Sequence, residues 1–398
     1  MVGEKIAILS AHIPPYYSGA GKRALNQAKY LVDKGFELVF ITTTPNKLQL
    51  PGLEMVIITV PAAYETDTLA GAICRQTYHL IFFIRLMSVL LRKKVKLLHC
   101  IPAFSWFAFA AVGAARALGL KIITETTLYG TDDPVTIRSR KAGRLKLLIF
   151  RYSDAIVNIS PLLVSKCVDA GINEQKLYLI PNSVNTAKFV PPTKGEKEAV
   201  KRSLGLSRFK HVFIYAGIMR ARKRVDWLIK TFKHVNNSIN ECCLVLAGPI
   251  DKDRDNKEYY HELKLLVETE GLSDIVVFTG EVDNIEQWMK ASDIFLFASN
   301  REGFGTVMVE AMSTGLPVVA MRISGITDYI ITDDSGIITD DLGELYRAVV
   351  TLVSDKDYYN KLSSNARERA LHYFSDEAVM SKYKDLYKTL LTNNKAND

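Results

Sequence analysis

Two carboxylates and a cluster of cations are the side chains whose types and spacing best suit chemistry. Glu302 and Glu310 bracket seven residues in the string EGFGTVMVE. Gly303 and Gly305 precede a stretch with helical spacing from Thr306 to Thr314, apolar at Val307, Met308, Ala311 and Met312. A helix that starts just after glycines presents free backbone N–H groups and the positive end of its dipole, which suits a phosphate. Gly305, Thr306 and Val307 would supply those N–H groups. Glu310, further into the helix, can accept hydrogen bonds from ribose hydroxyls. Glu302, in the mouth of the loop, can accept them from a sugar.

The cations follow the apolar run His211–Gly217 and are Arg220, Arg222, Lys223 and Arg224. They stand at the start of a helix marked by Val225, Leu228, Ile229 and Phe232, where positive charge opposes the helix dipole. A local rule broken in this way points to an anion site, with Lys as a point charge and Arg as a fork on diphosphate oxygens. The plainer alternative is a solvated basic turn. Two glycine turns add possible anion contacts. Gly19 and Gly21 open a helix after the strand Lys5–Ser10, although Ala24 breaks the dinucleotide fingerprint. Gly325 lies in a turn before another short helix.

The elements that must position these groups alternate strand and helix through both halves, so an α/β fold with two parallel sheets is expected. At 398 residues the chain suits two domains. The segment Pro191-Pro192 and the polar GEKEA after it read as their linker. No apolar run reaches the ~18 residues of a membrane-spanning helix, and MVGEKIAILS lacks the features of a signal peptide. Five scattered cysteines read as reduced thiols. Residues 1–190 carry 23 Lys and Arg against 12 Asp and Glu, while the remainder carries 28 against 31. The basic half is either a solvated face or an attraction to an anionic acceptor, a membrane surface or nucleic acid. Its cations interleave with apolar helices at Tyr78–Lys94 and Arg138–Phe150, which favours a membrane surface over nucleic acid.

The string EGFGTVMVE followed by AMSTGLPVV resembles the signature of family-4 retaining glycosyltransferases, and the likeness extends over nearly the full length. It implies a GT-B fold, two Rossmann-like domains facing each other across a cleft. Residues 1–190 would form the acceptor domain and 191–370 the nucleotide-sugar domain. Residues 371–398 would form a terminal helix crossing back, with a polar tail. The Gly217 and Lys223 motif resembles the family's donor-phosphate motif, though Ile218 stands where an Arg is usual, leaving Arg222 or Arg220 to supply that charge. The segment after Ile180 resembles the family's domain-junction motif, with Ser183 and Asn185 in place of its Gly and Asp.

On the acceptor side the pattern departs from the family, whose functional His is not cleanly present. His99 ends one strand. Glu125, with Asp132 and Asp133 in the loop after it, stands near a second position and offers substitutes. The resemblance implies transfer of a hexose from a UDP- or GDP-sugar to a hydroxyl of a glycan or lipid-linked saccharide. No metal or other cofactor is expected, cations and helix N-termini carrying the diphosphate charge. The expected location is cytoplasmic, peripheral at the inner membrane face at most. Competing readings are a nucleotide-sugar epimerase or glycogen-type synthase on the same scaffold, a Rossmann oxidoreductase, and a sugar- or nucleic-acid-binding protein without activity.

Overall fold

A computed structural model describes residues 4–14, 19–45, 50–61, 69–102, 106–140, 142–250 and 254–392. In it the short apolar runs become two parallel sheets, each covered by helices on both faces. That cover explains why the strands read as continuous apolar runs rather than alternating ones. The chain divides after Asn182 and again after Ala378, so Val379 onward belongs with the N-terminal unit. The first division precedes the double proline because residues 184–189 are tied into the second unit. Val184 N–H donates to the Phe374 carbonyl at 2.8 Å, and both Ser313 and Arg367 donate to the Phe189 carbonyl at 2.7 Å.

Unit 1 contains β1 (Lys5–Ser10), α1 (Gly19–Asp33), β2 (Leu38–Thr42), β3 (Glu54–Ile57), α2 (Leu69–Arg92), β4 (Val95–Ile101), α3 (Trp106–Ala117) and β5 (Lys121–Thr126). It continues with the short helices α4 (Pro134–Ser139), α5 (Gly143–Lys146) and α6 (Leu148–Arg151), then β6 (Ala155–Asn158), α7 (Pro161–Asp169) and β7 (Leu177–Leu179). Among the described residues its sheet has the order β3-β2-β1-β4-β5-β6-β7. One apolar layer joins the sheet to α2, α3 and the short helices, through residues such as Phe82, Leu86, Phe107 and Phe150. The opposite layer joins it to α1 and to the end of the chain, through Leu25, Tyr383 and Tyr387.

Unit 2 contains α8 (Lys194–Ser203), β8 (His211–Ala216), α9 (Val225–Ser238), β9 (Cys242–Ala247), α10 (Arg254–Thr269), β10 (Val276–Gly280), α11 (Ile285–Lys290) and β11 (Ile294–Phe297). Then come α12 (Thr306–Ser313), β12 (Val318–Met321), α13 (Thr327–Ile330), β13 (Gly336–Thr339), α14 (Leu342–Ser354) and α15 (Lys356–Phe374), before α16 (Asp376–Thr392) returns to unit 1. The strand order is β10-β9-β8-β11-β12-β13. It reverses between β8 and β11. In open parallel sheets, ligands bind beyond the carboxyl ends of the strands flanking such a reversal.

Two helices differ from the sequence reading. Arg138–Phe150 is not one helix but three short ones. Ala142 turns left-handed at a φ of 57°, and a Cβ on Gly143 would lie 2.2 Å from the Ile137 carbonyl oxygen, so the chain folds tightly back there. The terminal helix expected within residues 371–398 breaks at Ser375, whose backbone is extended between α15 and α16.

Candidate functional site

The loops after β8 and β11 leave the sheet side by side at the reversal in unit 2. After β8 the chain passes Gly217, at a φ of +153°. A Cβ on the neighbouring Gly248 would lie 2.0 Å from the Gly217 carbonyl oxygen, so this crossing of two backbones requires glycine. One 3₁₀ turn follows, Ala221–Lys223. Arg224 then turns left-handed, φ 51° and ψ 42°, before α9 begins. That turn is costly for a residue with a side chain, of order 1 kcal/mol or more. It places the Arg224 guanidinium 4.3 Å from the Trp227 ring centroid and beside Asp226, while Lys223 points inward 5.9 Å from the Phe297 ring centroid.

The β11 loop is stitched to this turn. Asn300 N–H donates to the Arg222 carbonyl at 3.0 Å, and the Arg222 guanidinium donates to the Arg301 carbonyl at 2.7 Å. Glu302 is thereby held between two cations. One oxygen takes a salt bridge from Lys223, and the other lies 3.3 Å from Arg222 Nη1. Both members of the Lys223–Glu302 pair are buried. Burial by itself would raise the Glu302 carboxyl, but Lys223 and Arg222 outweigh it and hold the group below its ordinary range. Burial lowers the Lys223 ammonium, and the neighbouring arginines add to that while Glu302 only partly offsets it. The result is a buried carboxylate surrounded by excess positive charge, as a site that receives an anion needs.

Gly305 follows at a φ of +94° and serves as the N-cap of α12, with no side chain capping the helix. Thr306 and Val307 occupy its first turn, half-buried, and Glu310 its second. The structure thus brings together Lys223, Arg222, Glu302 and Gly305 around one strand reversal. Arg220 is the N-cap of the 3₁₀ turn and is half-buried. Gly325 turns at φ +74° ahead of α13, a single helical turn. Among the described residues no group of three or more His, Cys, Asp or Glu could hold a metal ion.

In unit 1 the candidates fall into different roles. Glu125, at the end of β5, is fully buried. It forms a salt bridge with Arg23 of α1, lies 3.2 Å from His99 Nε2 and accepts from the Tyr383 hydroxyl at 3.2 Å. Burial would raise its carboxyl, but Arg23 and His99 hold it low. His99 Nδ1 meets the Tyr387 hydroxyl at 2.8 Å, and Gln27 donates to that same oxygen at 2.9 Å. The His99 ring thus lies between Glu125 on its Nε2 side and Tyr387 on its Nδ1 side. His99 and Glu125 are therefore enclosed, and bind α1 and α16 to the sheet.

Asp132 and Asp133 are fully buried too, and their oxygens serve their own loop. Asp132 accepts from the backbone N–H groups of Thr127 and Leu128 and from the Thr127 hydroxyl, at 2.6–2.7 Å. Asp133 caps α4 through Thr136 N–H and also accepts from Gly130 N–H. Burial pushes the Asp132 carboxyl up to about 6 despite those donors. Gly19 has open space where a Cβ would be. Gly21 does not, since a Cβ there would sit 1.8 Å from the His12 carbonyl oxygen.

The sequence reading did not single out Arg23, Gln27, Tyr383, Tyr387 or Gly248. The signal for Gln27 was a polar residue next to Ala28 on the apolar stripe of α1. For the tyrosines it was their four-residue spacing among apolar positions of α16.

Comparison with known proteins follows the same division of the chain. Residues 17–188 match the model of Glycosyltransferase Family 4, and residues 196–369 match that of Glycosyl transferases group 1. The chain is 25% identical over 386 residues to the N-acetyl-alpha-D-glucosaminyl L-malate synthase of Bacillus anthracis, covering 96% of each. It is 28% identical over 228 residues to an Escherichia coli UDP-Gal:alpha-D-GlcNAc-diphosphoundecaprenol alpha-1,3-galactosyltransferase, covering 56% of each. Among solved structures, Anabaena Alr3699/HepE in complex with UDP and glucose superposes with a TM-score of 0.79 at 18% identity, covering 98% of this chain and 100% of that one. A glycosyltransferase from Rickettsia africae gives 0.81 at 16%, covering 99% and 100%. With both models matched in chain order and a GT-B fold, the chain belongs to the family-4, group 1 glycosyltransferases.

Proposed function

We propose that this glycosyltransferase moves a sugar, with retention, from a nucleoside diphosphate donor to a hydroxyl of a glycan or a lipid-linked saccharide, without a metal. The observation that carries the reading is the Lys223–Arg222–Glu302 cluster beside the N-terminus of α12, whose N-cap is Gly305. In transfer, negative charge grows on the leaving diphosphate. Fixed cations and N–H groups in a buried setting stabilise it without reorganising. Lys223 and Arg222 take that charge, with Arg220 close in sequence and the first turn of α12 adding N–H donors.

Glu302 keeps both cations in place. A carboxylate has lone pairs beyond those its two partners use, so it can also accept from a sugar hydroxyl. Glu310 is assigned to the ribose. Gly217 and Gly325, both in unit 2, are assigned to close backbone approach around the donor. The donor class accords with the UDP named for the E. coli relative and for Alr3699/HepE, and the acceptor class with the diphosphoundecaprenol named for the former. The basic N-terminal half suits an acceptor presented at an anionic membrane surface.

A thermal-shift screen of nucleoside diphosphates and their sugars tests this. One ligand at a hundred times its dissociation constant should add about 2.7 kcal/mol. Proton NMR of the product should show the donor's anomeric configuration. A screen in which neither UDP nor GDP, free or sugar-linked, moves the transition overturns the donor assignment, and an inverted product overturns retention.

A further inference from the structure

Helix α2 is apolar on two sides. Its inner side, with Tyr78, Phe82, Leu86 and Leu90, is buried in the unit 1 core. Its outer side carries Leu80, Ile84 and Leu91, which are 63%, 58% and 59% exposed. Together with the half-buried Met87 they recur at i, i+4, i+7 and i+11, a single ridge along the helix. Three large aliphatic side chains in one ridge on a water-facing helix mark an interaction surface rather than scattered exposure.

The charge around the ridge is of one sign. From Thr68 to Thr124 the sequence has eight Lys and Arg and no Asp or Glu. From Pro134 to Ser153 it has six and none. These two segments supply α2, α3 and α4 to α6, the helices packed on one face of the sheet. The layer is tied together by Lys146 over the Trp106 ring at 5.4 Å and by the His79 and Trp106 rings at 5.7 Å. Arg85 and Arg92 are exposed beside the ridge on α2.

We propose that this face of unit 1 docks on an anionic lipid bilayer, the α2 ridge entering the headgroup region and the surrounding cations meeting lipid phosphates. It deepens the reading of a membrane-held acceptor. An apolar ridge within a basic helical layer fits a charged, apolar-cored surface. A nucleic acid would leave the ridge in water. A second copy using the same face about a two-fold axis would set cations against cations. No helix among the described residues is long and apolar enough to cross a membrane, so the contact proposed lies in the interface.

The test is flotation of the full chain with vesicles of equal parts phosphatidylglycerol and phosphatidylcholine, and with phosphatidylcholine alone. Wild type should float with the anionic vesicles at low salt and be partly released at high salt. Leu80→Gln/Ile84→Gln/Leu91→Gln should lose at least roughly tenfold in partitioning, since these exposed side chains carry the apolar contribution. Arg85→Gln/Arg92→Gln should lose about fivefold for each cation. Leu265→Gln, an exposed leucine on α10, should float as wild type does.

No flotation of wild type at low salt, or equal flotation of the triple variant, overturns the proposal. So does a triple variant that turns a dimer into a monomer with lipid binding unchanged, which would make the ridge a self-association surface. UDP-induced stabilisation is scored on the same variants, so the docking face and the donor site can fail independently.

Discussion

Glu302→Gln separates an anion site from a structural ion pair. In the wild type one buried carboxylate balances Lys223 and Arg222. Its neutral isostere keeps the shape but leaves two cations without their anion. Removing one partner of a buried ion pair costs about 3–5 kcal/mol. For a unit of this size that lowers the melting temperature by ~6–20 °C. Lys223→Met should cost less, about 1–3 kcal/mol, because Glu302 keeps Arg222.

The decisive comparison adds ligand. UDP, or GDP if that is the base, brings negative charge to the uncompensated cations, so at the same free ligand concentration it should stabilise Glu302→Gln more than wild type. Thermal denaturation of both proteins with and without each nucleotide reads this directly. If Glu302→Gln melts with wild type, or gains no more from ligand, the cations are not where the diphosphate charge is received. The pH dependence follows from the same pair. The folded Glu302 carboxyl lies below its ordinary value of 4.5. Its contribution is therefore fully present above that value and lost as pH falls through the lower folded one. The gap between wild type and Glu302→Gln should narrow in acid.

Three further outcomes test the surroundings. Tyr387→Phe removes the partner of both His99 and Gln27 and should cost ~1–3 kcal/mol in chemical denaturation, with donor affinity retained. Gly248→Ala forces a Cβ against the Gly217 carbonyl at a φ of +146°, and should cost ~3 kcal/mol or more and weaken nucleotide binding. Asp132, pushed up to about 6 in the folded chain, binds its proton more tightly there than when unfolded. Its contribution to stability should thus fall as pH rises from about 4 to about 6 and stay flat above, and Asp132→Asn should remove that slope of about 2–3 kcal/mol.

The α/β class, the strand and helix alternation and the residues of the Lys223–Arg222–Glu302 cluster were all legible in the sequence. They rest on local signals: apolar runs, glycine turns, and cations where a helix start disfavours them. That Lys223 and Glu302 meet was not legible, because it depends on β8 and β11 being sheet neighbours although two other strands separate them in the chain. The acceptor-side candidates show the converse. His99, Glu125, Asp132 and Asp133 are polar residues at strand ends and in a loop, which marks chemistry and buried structure alike. What distinguishes them is long-range: Arg23 and Tyr383, far away in sequence, enclose Glu125. The basic, apolar character of α2 was legible, but which of its apolar residues are buried and which form the exposed ridge depends on the packing of the helix against the sheet.

Lys223 is proposed to receive the donor diphosphate without a metal. The most direct test is release of nucleoside diphosphate from the UDP- or GDP-sugar that binds, measured for wild type and Lys223→Ala with and without EDTA. Release should persist in EDTA and fall by roughly 10²–10³-fold in Lys223→Ala, the scale of losing one preorganised charge stabiliser. Release abolished by EDTA, or within a few-fold of wild type in the variant, would contradict the account.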